Sequence, residues 1–138
     1  MKQTVLLADD DLRLLRAMEA RLSHVGYRVL SCQDGYQAIA LAHHEHPDLM
    51  VLDINMPAGS GFSVHERMRT GEDTKSIPVL YITGHDTQVV YDIADRMGAL
   101  AVLQKPFGLD DLGRAVHACI MHAREGEVID PEYGYPVA

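Results

Sequence analysis

The feature that most restricts this chain is a set of five short apolar runs alternating with stretches of helical spacing. The first, TVLLA at 4–8, is too short for a stable helix and too apolar for a solvated loop, so it reads as a buried strand. Runs at 27–31, 49–52, 77–82 and 100–103 have the same character. Pro78 falls near the start of the fourth, where a missing ladder donor is tolerated. Between the runs, Leu15, Met18, Leu22 and Val25 recur at steps of three and four, the stripe of a helix that buries one face. Ala38, Leu41, Ala42 and Glu45 share a second such face, and helical segments are expected at about 62–68 and 87–97. Leu109, Leu112, Val116, Cys119 and Ile120 mark the last helix. Gly26, Asp34-Gly35, Pro47 and Gly98 punctuate the series.

Apolar strands joined by helices require a sheet covered on both faces, hence a doubly wound α/β fold with five mostly parallel strands and right-handed crossovers. A chain of 138 residues suits one domain. That domain is expected over 1–123, followed by an irregular tail at 124–138, where Gly and Pro collect and periodicity is lost. The balance of 20 acidic against 12 basic residues, a net charge of −8, argues against a broad nucleic-acid surface, and no Lys/Arg run is present. The opening MKQTVLLADDD reaches acidic residues too early for a secretory signal, and no run approaches the roughly 20 apolar residues that span a bilayer. Cytoplasmic residence without membrane insertion is the resulting expectation. Cys32 and Cys119 lie far apart in sequence, as two structural thiols in a reducing compartment would.

Polar residues of one kind follow the runs. Asp9-Asp10 follow the first, Asp53 the third, Thr83-Gly84 the fourth, and Gln104-Lys105-Pro106-Phe107 the fifth. In a parallel sheet these carboxyl ends share one edge, the usual ligand crevice of such folds. Three close carboxylates repel one another and demand a cation. A hard ion meets that demand, magnesium or in its place manganese, with Asp10 and Asp53 as direct ligands and Asp9 direct or through water. Asn55 could add its backbone carbonyl. Asp53 then becomes a nucleophile toward phosphorus, able to form an acyl phosphate, while Lys105 supplies a mobile cation for the phosphoryl oxygens. Pro106 restricts Lys105 to extended backbone; the isomer of their peptide bond is left open. The Thr83 hydroxyl is placed to reach a phosphoryl oxygen.

Each element alone has a plainer reading. An acidic triplet after a strand is commonly a turn or a helix cap, a threonine is commonly structural, and a Lys-Pro pair means little. Their joint arrival at successive strand ends is what points to chemistry. His43, His44 and His46 resemble a metal cluster only superficially, since neighbouring helical residues point apart. His24, His65, His117 and His122 read as single surface or edge residues. Met50 and Met56 read as packing residues beside the site.

VLLADDD, LMVLDINMP, IPVLYITG and QKPF, in that order, resemble the receiver domain of bacterial two-component response regulators from about Val5 to His122. The resemblance implies strand order 2-1-3-4-5 in a flavodoxin-like sheet. It also implies Asp53 as phosphoacceptor, Asp9 and Asp10 at the metal, Thr83 as hydroxyl switch and Lys105 as the partner lysine. The implied phosphodonor is a histidine kinase or histidine phosphotransfer protein; the downstream protein is unknown. The chain departs from the family at Val102, where a Tyr or Phe is usual, and at Ser60, where many members carry Asp. Gly84 keeps the small residue expected after Thr83. His85 and Asn55 flank the path of attacking water and are expected to tune the lifetime of the phosphorylated state. The face of helix four, strand five and helix five is the expected output surface and a candidate surface for pairing two copies. A stand-alone receiver and a piece of a larger regulator or hybrid kinase fit the composition equally.

Three other classes are weighed against this. An aspartyl-phosphate phosphatase would want a second Asp where Asn55 stands. A constitutive docking module would have no need of Asp53 and Lys105. A flavin-binding relative of the fold would meet the repulsion of Asp10 and Asp11 for its phosphate.

Overall fold

A computed structural model describes residues 2–84 and 88–125. Strands and helices alternate as β1 (Thr4–Ala8), α1 (Leu12–His24), β2 (Arg28–Cys32), α2 (Gly35–Glu45), β3 (Leu49–Asp53), α3 (Gly61–Arg69), β4 (Val79–Thr83), α4 (Gln88–Met97), β5 (Ala101–Gln104) and α5 (Leu109–Glu125). The strands form one parallel sheet in the order β2-β1-β3-β4-β5. Both the α/β class and the strand order 2-1-3-4-5 are thus as expected.

Alternation along the strands divides the core into two layers. Val5, Leu7, Leu49, Val51, Leu80, Ile82 and Leu103 meet α1 and α5 through Leu15, Met18, Leu22, Leu112, Val116 and Ile120. Leu6, Ala8, Met50, Leu52, Tyr81 and Val102 meet α2, α3 and α4 through Ala38, Ala42, Val64, Met68, Val90 and Ala94. Side chains buried on both faces explain why β1, β3 and β4 read as continuous apolar runs, whereas β2 at the sheet edge is only partly buried. Cys32 and Cys119 are buried free thiols, and burial holds both well above the usual thiol range.

The loops at the carboxyl edge are stiffened by their helices. Asp11 accepts from the Leu14 N–H (3.2 Å), Asp34 from that of Gln37 (2.8 Å) and Ser60 from that of Ser63 (3.2 Å), so each loop ends as a helix N-cap. Asp34-Gly35 is therefore a cap and a first helical residue rather than a free turn. Boundaries shift by one or two residues elsewhere. β4 starts at Val79 because Ile77 is held in a turn to Thr74, and the Pro78 carbonyl accepts from Met50 (2.9 Å). Val25 lies outside the buried stripe. It is the C-cap of α1 and 56% exposed, since Gly26 turns the chain away at φ +110°. α5 runs to Glu125; residues 126–138, which hold most of the irregular tail expected at 124–138, lie outside the described residues. Among the described residues no helix is long and apolar enough to cross a membrane.

His65 departs furthest from expectation. It is buried, 6% exposed, and its Nδ1 is hydrogen-bonded to the Tyr81 hydroxyl at 2.6 Å. The Tyr81 ring stands edge-on to Phe62 with centroids 5.2 Å apart. Burial, then the Arg69 guanidinium, lowers the imidazole to a pKa of about 4, so it is neutral near pH 7. Its usual value of 6.5 is regained on unfolding, where the ring binds a proton more readily. Stability supplied by the neutral ring is therefore lost as pH falls from about 6.5 toward 4. The loss is expected to be on the order of 2 kcal/mol relative to His65→Gln, read as the difference between their urea midpoints across this range.

Candidate metal centre

Asp9 directly follows β1, and its N–H donates to the Cys32 carbonyl (3.2 Å), prolonging the ladder by one rung. Its Oδ1 accepts from the Asp11 N–H (2.9 Å), and the whole side chain is buried. Asp53 ends β3 and is 3% exposed; its Oδ1 accepts from the Asn55 N–H (3.1 Å). Asp10 faces solvent at the rim. One carboxylate oxygen from each of Asp9, Asp10 and Asp53 lies within 4.8 Å of the others. The expected convergence is real.

Lys105 comes from the opposite side of the crevice. Its N–H donates to the Thr83 carbonyl (2.7 Å), which anchors the β5–α5 turn to the end of β4. The Nζ lies 3.1 Å from Asp9 Oδ2 and 3.3 Å from Asp53 Oδ2. Only the contact to Asp53 has hydrogen-bond alignment; that to Asp9 is an ion pair, which leaves Asp9 Oδ2 buried without a hydrogen bond. The Lys105-Pro106 peptide is cis.

Burial raises the Asp53 carboxyl to about 6, helped by the charge of Asp9, and the Asn55 N–H and Lys105 offset only part of this. Burial also works against the charge on Lys105, but the two carboxylates outweigh it and hold the ammonium above its usual range. An acidic pocket with two buried carboxylates sharing one ammonium, and one of them pushed toward neutrality, is undersupplied with positive charge. The donor set is all oxygen, which suits a hard divalent cation. Asp9, Asp10 and Asp53 would hold it, with the Asn55 carbonyl as a further oxygen donor.

Backbone packing fixes the loop after β3. A Cβ on Gly61 would sit 2.6 Å from the Asp53 carbonyl, so only glycine lets α3 start this close to the end of β3. Thr83 ends β4 fully buried, paired in register with Gln104. Gly84 is exposed, with open space where its Cβ would be. Val102 is buried and faces Tyr81 across the β4–β5 ladder. His85 lies outside the described residues. His43 bonds Asp73 (3.0 Å) and joins no three-residue metal group among the described residues.

A family model described as "Response regulator receiver domain" matches residues 5–117. "Probable transcriptional regulator ycf27" of Galdieria sulphuraria is 36% identical over 125 residues, which are 87% of this chain and 46% of that protein. The chain thus spans about half the length of such relatives. It matches nearly all of "Protein PilH" of Pseudomonas aeruginosa, at 30% identity over 84% of this chain and 96% of that one. The crystallised chemotaxis response regulator CheY4 of Vibrio cholerae superposes with a TM-score of 0.80 at 27% identity, covering 85% of this chain and 98% of that chain.

Metal-free Asp53 keeps its proton to about pH 6, whereas the unfolded value is 3.8, so this group's contribution to stability falls as pH rises between the two. Magnesium competes with that proton. At tenfold above its Kd it is expected to add about 1.4 kcal/mol at pH 7.5 and progressively less below pH 6. Thermal denaturation with and without magnesium chloride measures the gain, and a gain unchanged in Asp53→Asn would place the ion elsewhere.

Proposed function

The chain belongs to the response regulator receiver domain family, and we propose that it takes a phosphoryl group on Asp53 and passes the signal on through a changed protein-binding surface. The observation that carries this reading is the Lys105 ammonium set between the buried carboxylates of Asp9 and Asp53, with Asp10 at the rim. We assign the cation site to magnesium, with manganese as its substitute. When bound, it supplies positive charge to the transferring phosphoryl oxygens. A histidine kinase or histidine phosphotransfer protein is the proposed donor.

Asp53 offers a carboxylate oxygen to phosphorus in line with the departing imidazole nitrogen. The P–N bond breaks, the imidazole keeps the bonding pair and takes a proton, and an acyl phosphate forms on Asp53. Lys105, already within 3.3 Å of Asp53, follows the charge onto the new phosphoryl oxygens. The Thr83 hydroxyl donates to one of them. The acyl phosphate is later cleaved by water, at a rate set in part by Asn55, which is exposed beside Asp53, and by His85. The transferred group adds charge where two carboxylates already face one ammonium, and this shifts the population of β4–α4 arrangements.

We assign output to the face of α4, β5 and α5, where Tyr91, Val102, Gln104 and Phe107 line a cleft of about 260 Å³. Pairing of two copies on this face is its homodimer form. The receiver unit is assigned to residues 1–123, and residence to the cytoplasm.

Intact-mass measurement after treatment with acetyl phosphate and magnesium is expected to show one added phosphoryl group, absent in Asp53→Ala and strongly reduced when magnesium is withheld. Phosphate gained by Asp53→Ala would overturn the assignment. Lys105→Ala is expected to slow phosphorylation about 100-fold, the scale of losing one positioned donor at a developing negative charge. Dimerisation on phosphorylation is expected as a shift in sedimentation that substituting Tyr91 reverses.

A further inference from the structure

The ring of Tyr81 is fully buried on the same face of β4 as Thr83, two residues ahead of it. Its hydroxyl is committed to His65 on α3 at 2.6 Å. The same helix is keyed to the acceptor strand at its first residue. The Gly61 N–H donates to the Ile54 carbonyl (3.1 Å), and the Gly61 backbone leaves no room for a Cβ against Asp53. α3 therefore touches the acceptor at one end and, one turn later, grips the strand that carries Thr83. Across the ladder from Tyr81 stands Val102, whose small side chain leaves the aromatic ring on this stretch of the layer to β4.

We infer that His65 and Tyr81 are a positioning pair, a tie through α3 that sets where Thr83 stands relative to a phosphoryl group on Asp53. The inference rests on the roles proposed above for Asp53 and Thr83. Neither member touches the reacting atoms. The ladder bond from the Ile54 N–H to the Ile82 carbonyl (2.9 Å) fixes β4 along β3, but it does not fix the tilt of the strand end toward α3. The Tyr81 hydroxyl supplies that second constraint, and a hydrogen-bonding side chain at position 65 holds it. An imidazole meets the need because its neutral ring offers one donor and one acceptor nitrogen, and a hydroxyl can bond to either.

The experiment is a double-mutant cycle read as decay of the phosphorylated protein after acetyl phosphate is removed. Tyr81→Phe deletes the hydroxyl and keeps the ring. It is expected to change the decay rate about fivefold, the scale of one buried hydrogen bond, in the same direction as Thr83→Ala. Because the pair acts through Thr83, the combined variant is expected to decay within about twofold of Thr83→Ala alone. His65→Gln keeps an acceptor and is expected to decay as the wild type, whereas His65→Leu is expected to follow Tyr81→Phe. A purely structural pair would give effects that multiply with those of Thr83→Ala, or a Tyr81→Phe protein that decays normally. Either result overturns the inference while leaving phosphorylation of Asp53 intact. A wild-type protein that gains no phosphate would instead overturn the functional reading, and the inference with it.

Discussion

Everything at the carboxyl edge of this sheet is organised by one imbalance of charge. Asp9 and Asp53 are buried within reach of each other, and a single ammonium, Lys105, stands against both. Desolvation makes each carboxylate costly, and their mutual repulsion adds to the cost. Such a pocket persists only because the strands bearing the acids are pinned by parallel ladders and by apolar layers on both faces. The packing of the whole domain therefore holds in place a site that, taken alone, opposes its own assembly. That stored repulsion makes the crevice receptive to a cation.

Legibility in the sequence followed the same division. The strand ends could be read because a buried strand is nearly all apolar, so the polar residue that closes it stands out. Asp9, Asp53, Thr83 and Lys105 were all visible in this way. Strand edges were less legible. At β4 a turn to Thr74 removes Ile77 from the ladder, a matter of hydrogen bonding that hydropathy does not register.

Val25 and His65 failed in opposite directions. Val25 has the right spacing and the right chemistry for the α1 stripe, but the helix ends beneath it, and no periodicity reports a helix end. His65 has the right spacing too: Gly61, Val64, His65 and Met68 are the buried residues of α3 and fall at one, four, five and eight along the helix. Its residue type argued for the surface. The partner that reverses this, the Tyr81 hydroxyl, is contributed by a strand 16 positions later and is found only in three dimensions.

The sheet also separates two layers with different rules of substitution. Under α1 and α5 the buried residues of the core are all apolar, with Tyr27 and Phe107 packed against its margin. Volume-conserving exchanges are tolerated in such a layer. On the other side, buried polar groups gather around α3: His65 holds Tyr81, and the Thr74 hydroxyl donates to the Met68 carbonyl (2.8 Å). A change there must preserve a donor and an acceptor as well as a shape. Lineages descending from this chain would drift freely on the first side and stay tethered on the second, so sequence divergence in this protein is expected to be lopsided across its own sheet.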